Sequence, residues 1–364
     1  MPNSAKLLPC RMAAEWDSRL SATLIAWPHK DTDWAPMLPE IEDCYINLLD
    51  ALLRAGQNVV VLVPDRKGFE EAFPKYKSPR VTLLEYLTND TWVRDYGPIP
   101  VEVPDSASSE KRAEFPAGLY GAAFQFNGWG LKFAADRDNL AAYEVARGLH
   151  IPDRLISHKN YVLEGGSVET DGRGTILTTE ECMLSINRNG EITRERVEQE
   201  LRDSLGASHV LWLTKGSLAG DDTDGHIDTL ARLAPHDTIL YVKCYREDDS
   251  HFPYLQAMEE EIKQLRTPDG RPYNLIGLPL PDSIYDTDGS RLPATYANFL
   301  ITPKAVLLPV YGQKLNDELA AQMIRVAFPD HEVITVDCRP LIRQHGSLHC
   351  ATMQIPSDWI GRQY

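Results

Sequence analysis

Short apolar runs alternate with amphipathic ones from one end of the chain to the other, and no low-complexity linker breaks the rhythm. Ser21 to Trp27 reads as a buried strand; Ile41, Cys44, Tyr45, Leu48, Leu49 and Leu52 then recur at helical spacing, and Asn58 to Val63 returns as a strand. Helix followed by strand comes back at Val197, Leu201 and Leu205 with His209 to Leu213, and at Leu315, Leu319 and Met323 with Glu332 to Val336. A helix with one apolar stripe must bury it against a sheet. The recurrence therefore predicts an α/β or α+β protein of repeated modules. A ring of modules would bring equivalent strand ends together at one axis, whereas an open sheet would spread them.

Length, 364 residues, leaves one or two domains open. Apolar runs never reach the roughly 18 residues a membrane helix needs, so no span is expected. The segment Met1 to Arg11 lacks a hydrophobic stretch with a small-residue cleavage site, which predicts a cytosolic protein. Cys10, Cys44, Cys182, Cys244, Cys338 and Cys350 show neither a CxxC pair nor a Cys/His metal spacing, and are expected as free thiols, at least four of them filling core space. With 37 Lys and Arg against 53 Asp and Glu, and no basic cluster, no nucleic-acid partner is expected. The polar stretch from Asp105 to Pro116 is expected as a surface hairpin or insertion, and Gln256 to Arg266 as an exposed helix.

Four clusters carry chemistry. Cys350, in Gly346-Ser347-Leu348-His349-Cys350-Ala351, precedes an alternating segment to Ile355; at a strand start below a loop a cysteine can be exposed. Thiolate is its reactive form, which calls for a depressed pKa or a cationic substrate that favours ionisation. A free cysteine is more often a small buried hydrophobe. In Asp224-Gly225-His226-Ile227-Asp228, His226 and Asp228 would share one face of a strand. A satisfied core histidine is the plain alternative, but the acidic lead-in Asp221, Asp222 and Asp224 favours a cation. No second histidine stands at a metal-ligand spacing, so no metal is expected. Glu164 beside Gly165 and Gly166 combines a carboxylate with close backbone approach. Partial burial would raise its pKa towards acid/base use. Asp95 stands just before the Gly97-Pro98 turn, and Trp92 is either a stacking surface for a planar cation or a core anchor.

In order, Met12-Ala13-Ala14-Glu15-Trp16, Ala26-Trp27-Pro28-His29, Asn89-Asp90-Thr91-Trp92-Val93-Arg94-Asp95, Phe126-Asn127-Gly128-Trp129-Gly130, Leu163-Glu164-Gly165-Gly166-Ser167, Gly225-His226-Ile227-Asp228, Tyr296-Ala297-Asn298-Phe299 and His349-Cys350 run nearly the whole chain. Together they resemble the agmatine deiminase and bacterial peptidylarginine deiminase family of the pentein, or guanidine-modifying, superfamily. The resemblance implies a single catalytic domain over 1–364, a five-bladed α/β propeller of ββαβ-type modules around a central active site, with no metal or organic cofactor. It implies that Cys350 attacks a guanidinium carbon, His226 and Glu164 handle protons, Asp95 and Asp228 clamp the guanidinium nitrogens, and Trp92 and Trp129 line the substrate. A homodimer is the family-based expectation.

One departure concerns the nucleophile loop. Many agmatine deiminases carry Gly-Gly-Gly-Asn-Ile-His-Cys, whereas this chain has Arg343-Gln344-His345-Gly346-Ser347-Leu348-His349-Cys350. The expected substrate is agmatine, hydrolysed to N-carbamoylputrescine and ammonia, with Asp222 receiving the tail amine. A peptidylarginine or arginine deiminase is the alternative enzyme, and a catalytically inactive pentein-fold binding protein the non-enzymatic one.

Overall fold

A computed structural model describes residues 10–105 and 115–360. The strand–helix–strand rhythm is realised five times. In each module a first strand pairs antiparallel with a second, a helix crosses over, and a third strand returns parallel to the second. The helices that make the crossing span Leu38–Arg54, Ala141–Gly148, Arg194–Leu205, Phe252–Ile262 and Lys314–Ala327. Parallel partners need such a crossover, since a tight hairpin cannot reverse the chain twice.

Among the described residues these strands form five small sheets. The first joins both ends of the chain: Met353–Ile355 pairs antiparallel with Ala22–Ala26, which pairs parallel with Asn58–Val63, and Val81–Glu85 is added outside. Each sheet contributes to one continuous apolar core. The central strands Ala22–Ala26 and Asn58–Val63 are buried almost throughout, which explains why all but Thr23 and Asn58 in them are aliphatic.

Three local expectations are corrected. The helix expected at 256–266 spans Phe252–Ile262, because Pro253 is well placed in a first turn and residues 263–266 leave the helix. Leu315 is 82% exposed, and the buried stripe of its helix is Ala320, Ala321, Ile324 and Ala327; small side chains let that helix approach its sheet, and a search for large aliphatics misses them. The segment around His226 and Asp228 is not a strand but one helical turn, Ile227–Leu230, with His226 at its N-cap. The expected hairpin from Asp105 to Pro116 has residues 106–114 outside the described part. No helix among the described residues is long and apolar enough to cross a membrane.

Candidate active site

One structural position recurs in all five modules: the short connection, a loop or a single helical turn, that enters the first strand. Asp95 lies there before Ile99–Val103, Glu164 before Val168–Thr170, Asp228 before Ala231–Ala234, Asn298 before Leu300–Ile301 and Cys350 before Met353–Ile355. Five such connections far apart in sequence thus supply five neighbouring polar side chains. Asn298 belongs to a motif quoted above but was given no role there; its equivalence to the other four loop positions is the signal that finds it.

Their mutual geometry is tight. The Cys350 Sγ–H points to Asn298 Oδ1 at 3.4 Å and to Asp228 Oδ2 at 3.9 Å. His226 Nε2 meets Glu164 Oε2 at 2.9 Å, and its Nδ1 faces Asp95 Oδ1 at 3.6 Å. Asp95 accepts from the Gly166 amide at 2.9 Å and from Trp129 Nε1 at 2.8 Å. The Gly-Gly pair after Glu164 has a steric reason: a Cβ on Gly166 would fall 2.6 Å from His226 Nδ1, 2.8 Å from Asp95 Oδ1 and 3.1 Å from Asp228 Oδ2. That backbone is wedged between three of the polar groups.

Among the buried polar atoms that make no hydrogen bond, two belong to these side chains, His226 Nδ1 and Asp228 Oδ1. Leaving a buried polar atom unpaired costs about 1–3 kcal/mol, so such orphans mark places where a polar ligand completes the structure. Both lie on side chains gathered around Gly166.

The electrostatics correct two expectations. Cys350 is not exposed but buried, and burial together with the charges of Asp228 and Asp95 pushes its thiol well above the ordinary range. Glu164 is fully buried, yet its carboxyl is lowered rather than raised: burial pushes it up, and hydrogen bonds and charge from His226 and Arg188 outweigh that. Arg188, missed in the sequence, sends Nε to both Glu164 oxygens at 3.0 and 2.9 Å and Nη1 to Asp224 Oδ2 at 2.6 Å. Burial alone would lower His226, but Asp95, Cys182 and Glu164 lift it well above the usual imidazole value. Burial raises Asp95, with Asp228 and Glu164 adding to the rise, while His226 and Trp129 oppose it. Asp228 ends lowered, because His349, His226 and Arg232 overcome its burial.

Above Cys350 opens a cavity of about 210 Å³ walled by Trp92, Asp95, Trp129, Phe133 and Gly346, with Asp33, Asp90, Asp222, Arg343 and His345 also lining it. Trp92 serves both readings given above. It lines the cavity, and it packs on Trp34 with ring centroids 5.7 Å apart. A Cβ on Gly346 would strike its ring at 2.5 Å, so the nucleophile loop passes directly against it. Asp222 lines the cavity with its carboxylate raised by burial, while its backbone carbonyl takes Lys132 Nζ at 2.6 Å. Asp90 and Asp33, not singled out from the sequence, stand in the same cavity. Arg343 reaches Glu40 at 3.4 Å and Asp286 at 3.6 Å. His345 occupies the left-handed region at φ +66° and hydrogen-bonds the Gly220 carbonyl at 2.6 Å; glycine would hold that conformation without strain.

Two triads, Glu164 with Cys182 and His226, and Glu15 with Glu169 and His349, have ligand atoms close enough to hold a metal ion. In each, an arginine already lies on the carboxylates, Arg188 in the first and Arg232 in the second. Those guanidinium groups supply the positive charge that a cation would bring.

A buried thiol beside orphaned carboxylate and imidazole atoms, at the floor of an acid-lined cavity, defines a class: a hydrolase of guanidino C–N bonds on a mixed α/β scaffold of several small sheets. Residues 11–356 match the Porphyromonas-type peptidyl-arginine deiminase family, and the chain belongs to it. The agmatine deiminase of Stutzerimonas stutzeri (strain A1501) is 30% identical over 96% of this chain and 96% of its own. A putative arginine deiminase from Porphyromonas gingivalis superposes with a TM-score of 0.85 at 45% identity, covering 96% of this chain and 98% of that one. A variant of the C. jejuni agmatine deiminase with substrate bound gives 0.85 at 34% identity over 96% of both chains. These structural neighbours are pentein-fold deiminases.

Proposed function

We propose that this protein is an agmatine deiminase, hydrolysing agmatine to N-carbamoylputrescine and ammonia through a covalent intermediate on Cys350. The observation that carries the reading is the pair of orphaned buried atoms, Asp228 Oδ1 and His226 Nδ1, beside a buried thiol. A guanidinium presents a flat array of N–H donors suited to carboxylate oxygens. Asp228 and Asp95 clamp it and hold its carbon near the sulfur.

Substrate also resolves the thiol's state. Its burial and the two aspartates hold Cys350 protonated in the free enzyme; an entering cation offsets those aspartates and lets the thiol release its proton to solvent through the cavity, leaving the thiolate. The sulfur attacks the guanidinium carbon, and His226, kept as imidazolium by Asp95, Cys182 and Glu164, gives a proton to the departing nitrogen. Ammonia leaves an amidino-thioether. Water then adds to that carbon, His226 recovers a proton, the C–S bond breaks, and the ureido product departs. Glu164, fixed by Arg188, keeps the imidazole oriented through the cycle.

For the tail, agmatine offers an ammonium and arginine an α-carboxylate. Asp33, Asp90 and Asp222 favour the ammonium, with Asp222 as its receiver, and Trp92 and Trp129 flank the chain between. Arg343 is already paired with Glu40 and Asp286, which leaves it less available to a carboxylate. The likeness to a putative arginine deiminase favours the second reading, a peptidylarginine or arginine deiminase. Incubating the purified protein with agmatine, arginine and an arginyl peptide, and measuring ureido product and ammonia, separates the readings. Turnover of agmatine well above the others is expected; turnover of none would leave only a catalytically inactive binding protein.

The same proposal takes the five modules as blades of a five-bladed α/β propeller and residues 1–364 as one catalytic domain, supported by the sheet that joins both chain ends and by the common core. A cytosolic location is supported by Cys44, Cys182, Cys244, Cys338 and Cys350, all present as thiols. A homodimer, with exposed Leu315 and Val326 about three turns apart on one helix as its candidate contact, is tested by sedimentation.

A further inference from the structure

The opening motif around Glu15 and the histidine beside the nucleophile take no part in the chemistry above, yet they meet behind it. His349 Nδ1 lies 2.6 Å from Asp228 Oδ2, and its Nε2 lies 2.6 Å from Glu15 Oε1. Glu15 is held in turn by Arg94 at 3.1 Å, by Arg232 at 3.0 Å and by the Ile301 amide at 3.1 Å. Arg232 continues to Glu169, and the His349 amide donates to Asn298 Oδ1 at 2.9 Å. Every one of these side chains is buried.

The consequence falls on Asp228. Its Oδ2 is taken by His349 and faces the Cys350 thiol, while Oδ1 is left without a partner. A carboxylate attached only through its own χ angles could rotate and present either oxygen. Anchored at Oδ2, it presents Oδ1 alone.

We propose that Glu15 and His349 form a positioning relay that fixes the Asp228 carboxylate so that Oδ1 is reserved for the cationic group of the substrate, and that His349 is thereby a specificity-determining residue. The proposal rests on the reading of Asp228 as a guanidinium clamp. His349 touches no reacting atom: it acts through Asp228, as partners of a ligating carboxylate do when they set its orientation. Burying this many charges for stability alone would be poor design, since a packed apolar replacement is often as stable. A fixed carboxylate gives the arrangement a use.

The test compares two alkylating probes of equal shape, cationic 2-chloroacetamidine and neutral 2-chloroacetamide, as rates of Cys350 modification. Only the cation uses Asp228. Wild type is expected to react much faster with the amidine, and His349→Gln to lose about 10- to 100-fold of that preference, the range for removing an orienting partner. The rate with the neutral probe and the thermal midpoint should stay near wild type. Equal loss with both probes, or an unchanged preference, overturns the relay. Should His349→Gln fail to fold, Glu15→Gln decides, because its amide keeps the acceptor for Arg232 while losing the charge opposite His349: a reduced preference supports the relay and an intact one overturns it. A wild-type enzyme with no amidine preference contradicts instead the reading of the whole site, so the two failures are distinguishable.

Discussion

His226 and His349 are both buried imidazoles, each held by a glutamate that an arginine also contacts, and they end differently. His349 is tied at both nitrogens, to Asp228 and Glu15 at 2.6 Å each. His226 is hydrogen-bonded at one, to Glu164 at 2.9 Å, and its buried Nδ1 makes no hydrogen bond, facing Asp95 at 3.6 Å. A ring satisfied on both sides has no group left to offer a substrate. An imidazole anchored on one side only, and lifted above its usual pKa, has a proton ready for a leaving group. Surroundings of the same type thus yield a frame in one place and a reagent in the other.

That contrast is broken most severely at His226. His226→Asn should lower kcat by about 100- to 10,000-fold, the span usual for a general acid/base, with the thermal midpoint little changed; steady-state kinetics with calorimetry checks it. A loss no larger than that of His349→Gln would erase the distinction drawn here. Next comes the wedge between them. Gly166→Ala would push a methyl towards His226, Asp95 and Asp228, and displacements near 1 Å are expected to cost about 100-fold in kcat/KM. Wild-type kinetics in that variant would show the centre to be looser than the geometry implies.

The smallest effects belong to the cavity wall. Burial pushes Asp90 up to about 7; the Thr91 amide opposes this, and Asp33 and Asp222 add to it. Below that value Asp90 is neutral and above it anionic, so kcat/KM for agmatine should rise through about pH 7. Asp90→Asn should flatten that limb while leaving kcat nearly intact. Asp222→Ala should raise the agmatine KM by roughly two- to fivefold, as expected for a partly solvated ion pair; an unchanged KM would remove Asp222 as the receiver of the tail.

The two imidazoles also show what a sequence makes legible. The modules are readable because a six-residue strand and a three-turn helix carry their own patterns, as at Asn58–Val63 and Val197, Leu201 and Leu205. One helical turn carries none, so the spacing of His226 and Asp228 reads as a strand where the chain forms the turn Ile227–Leu230, although both residues reach the same centre. Cys350, Glu164, Asp95, His226 and Asp228 stood out because loops with glycine beside ionisable groups are uncommon in a plain core. Arg188, Asp90 and Arg232 did not. A charged residue in an aperiodic stretch looks solvent-facing until the fold brings its counter-charge from 24 or 217 positions away, as Glu164 does for Arg188 and Glu15 for Arg232. Burial misled in the other direction for Glu164, whose partners outweigh desolvation and lower its carboxyl.

The central claim is that the buried Cys350 becomes a nucleophile towards a clamped guanidinium carbon. Acid-quenching the enzyme during turnover of agmatine, followed by mass spectrometry of the peptide that contains Cys350, tests it most directly. The account predicts a peptide heavier by agmatine less ammonia, its adduct on Cys350, and no such species or turnover in Cys350→Ala. Ureido product formed with Cys350 unmodified, and at an undiminished rate in Cys350→Ala, would contradict it.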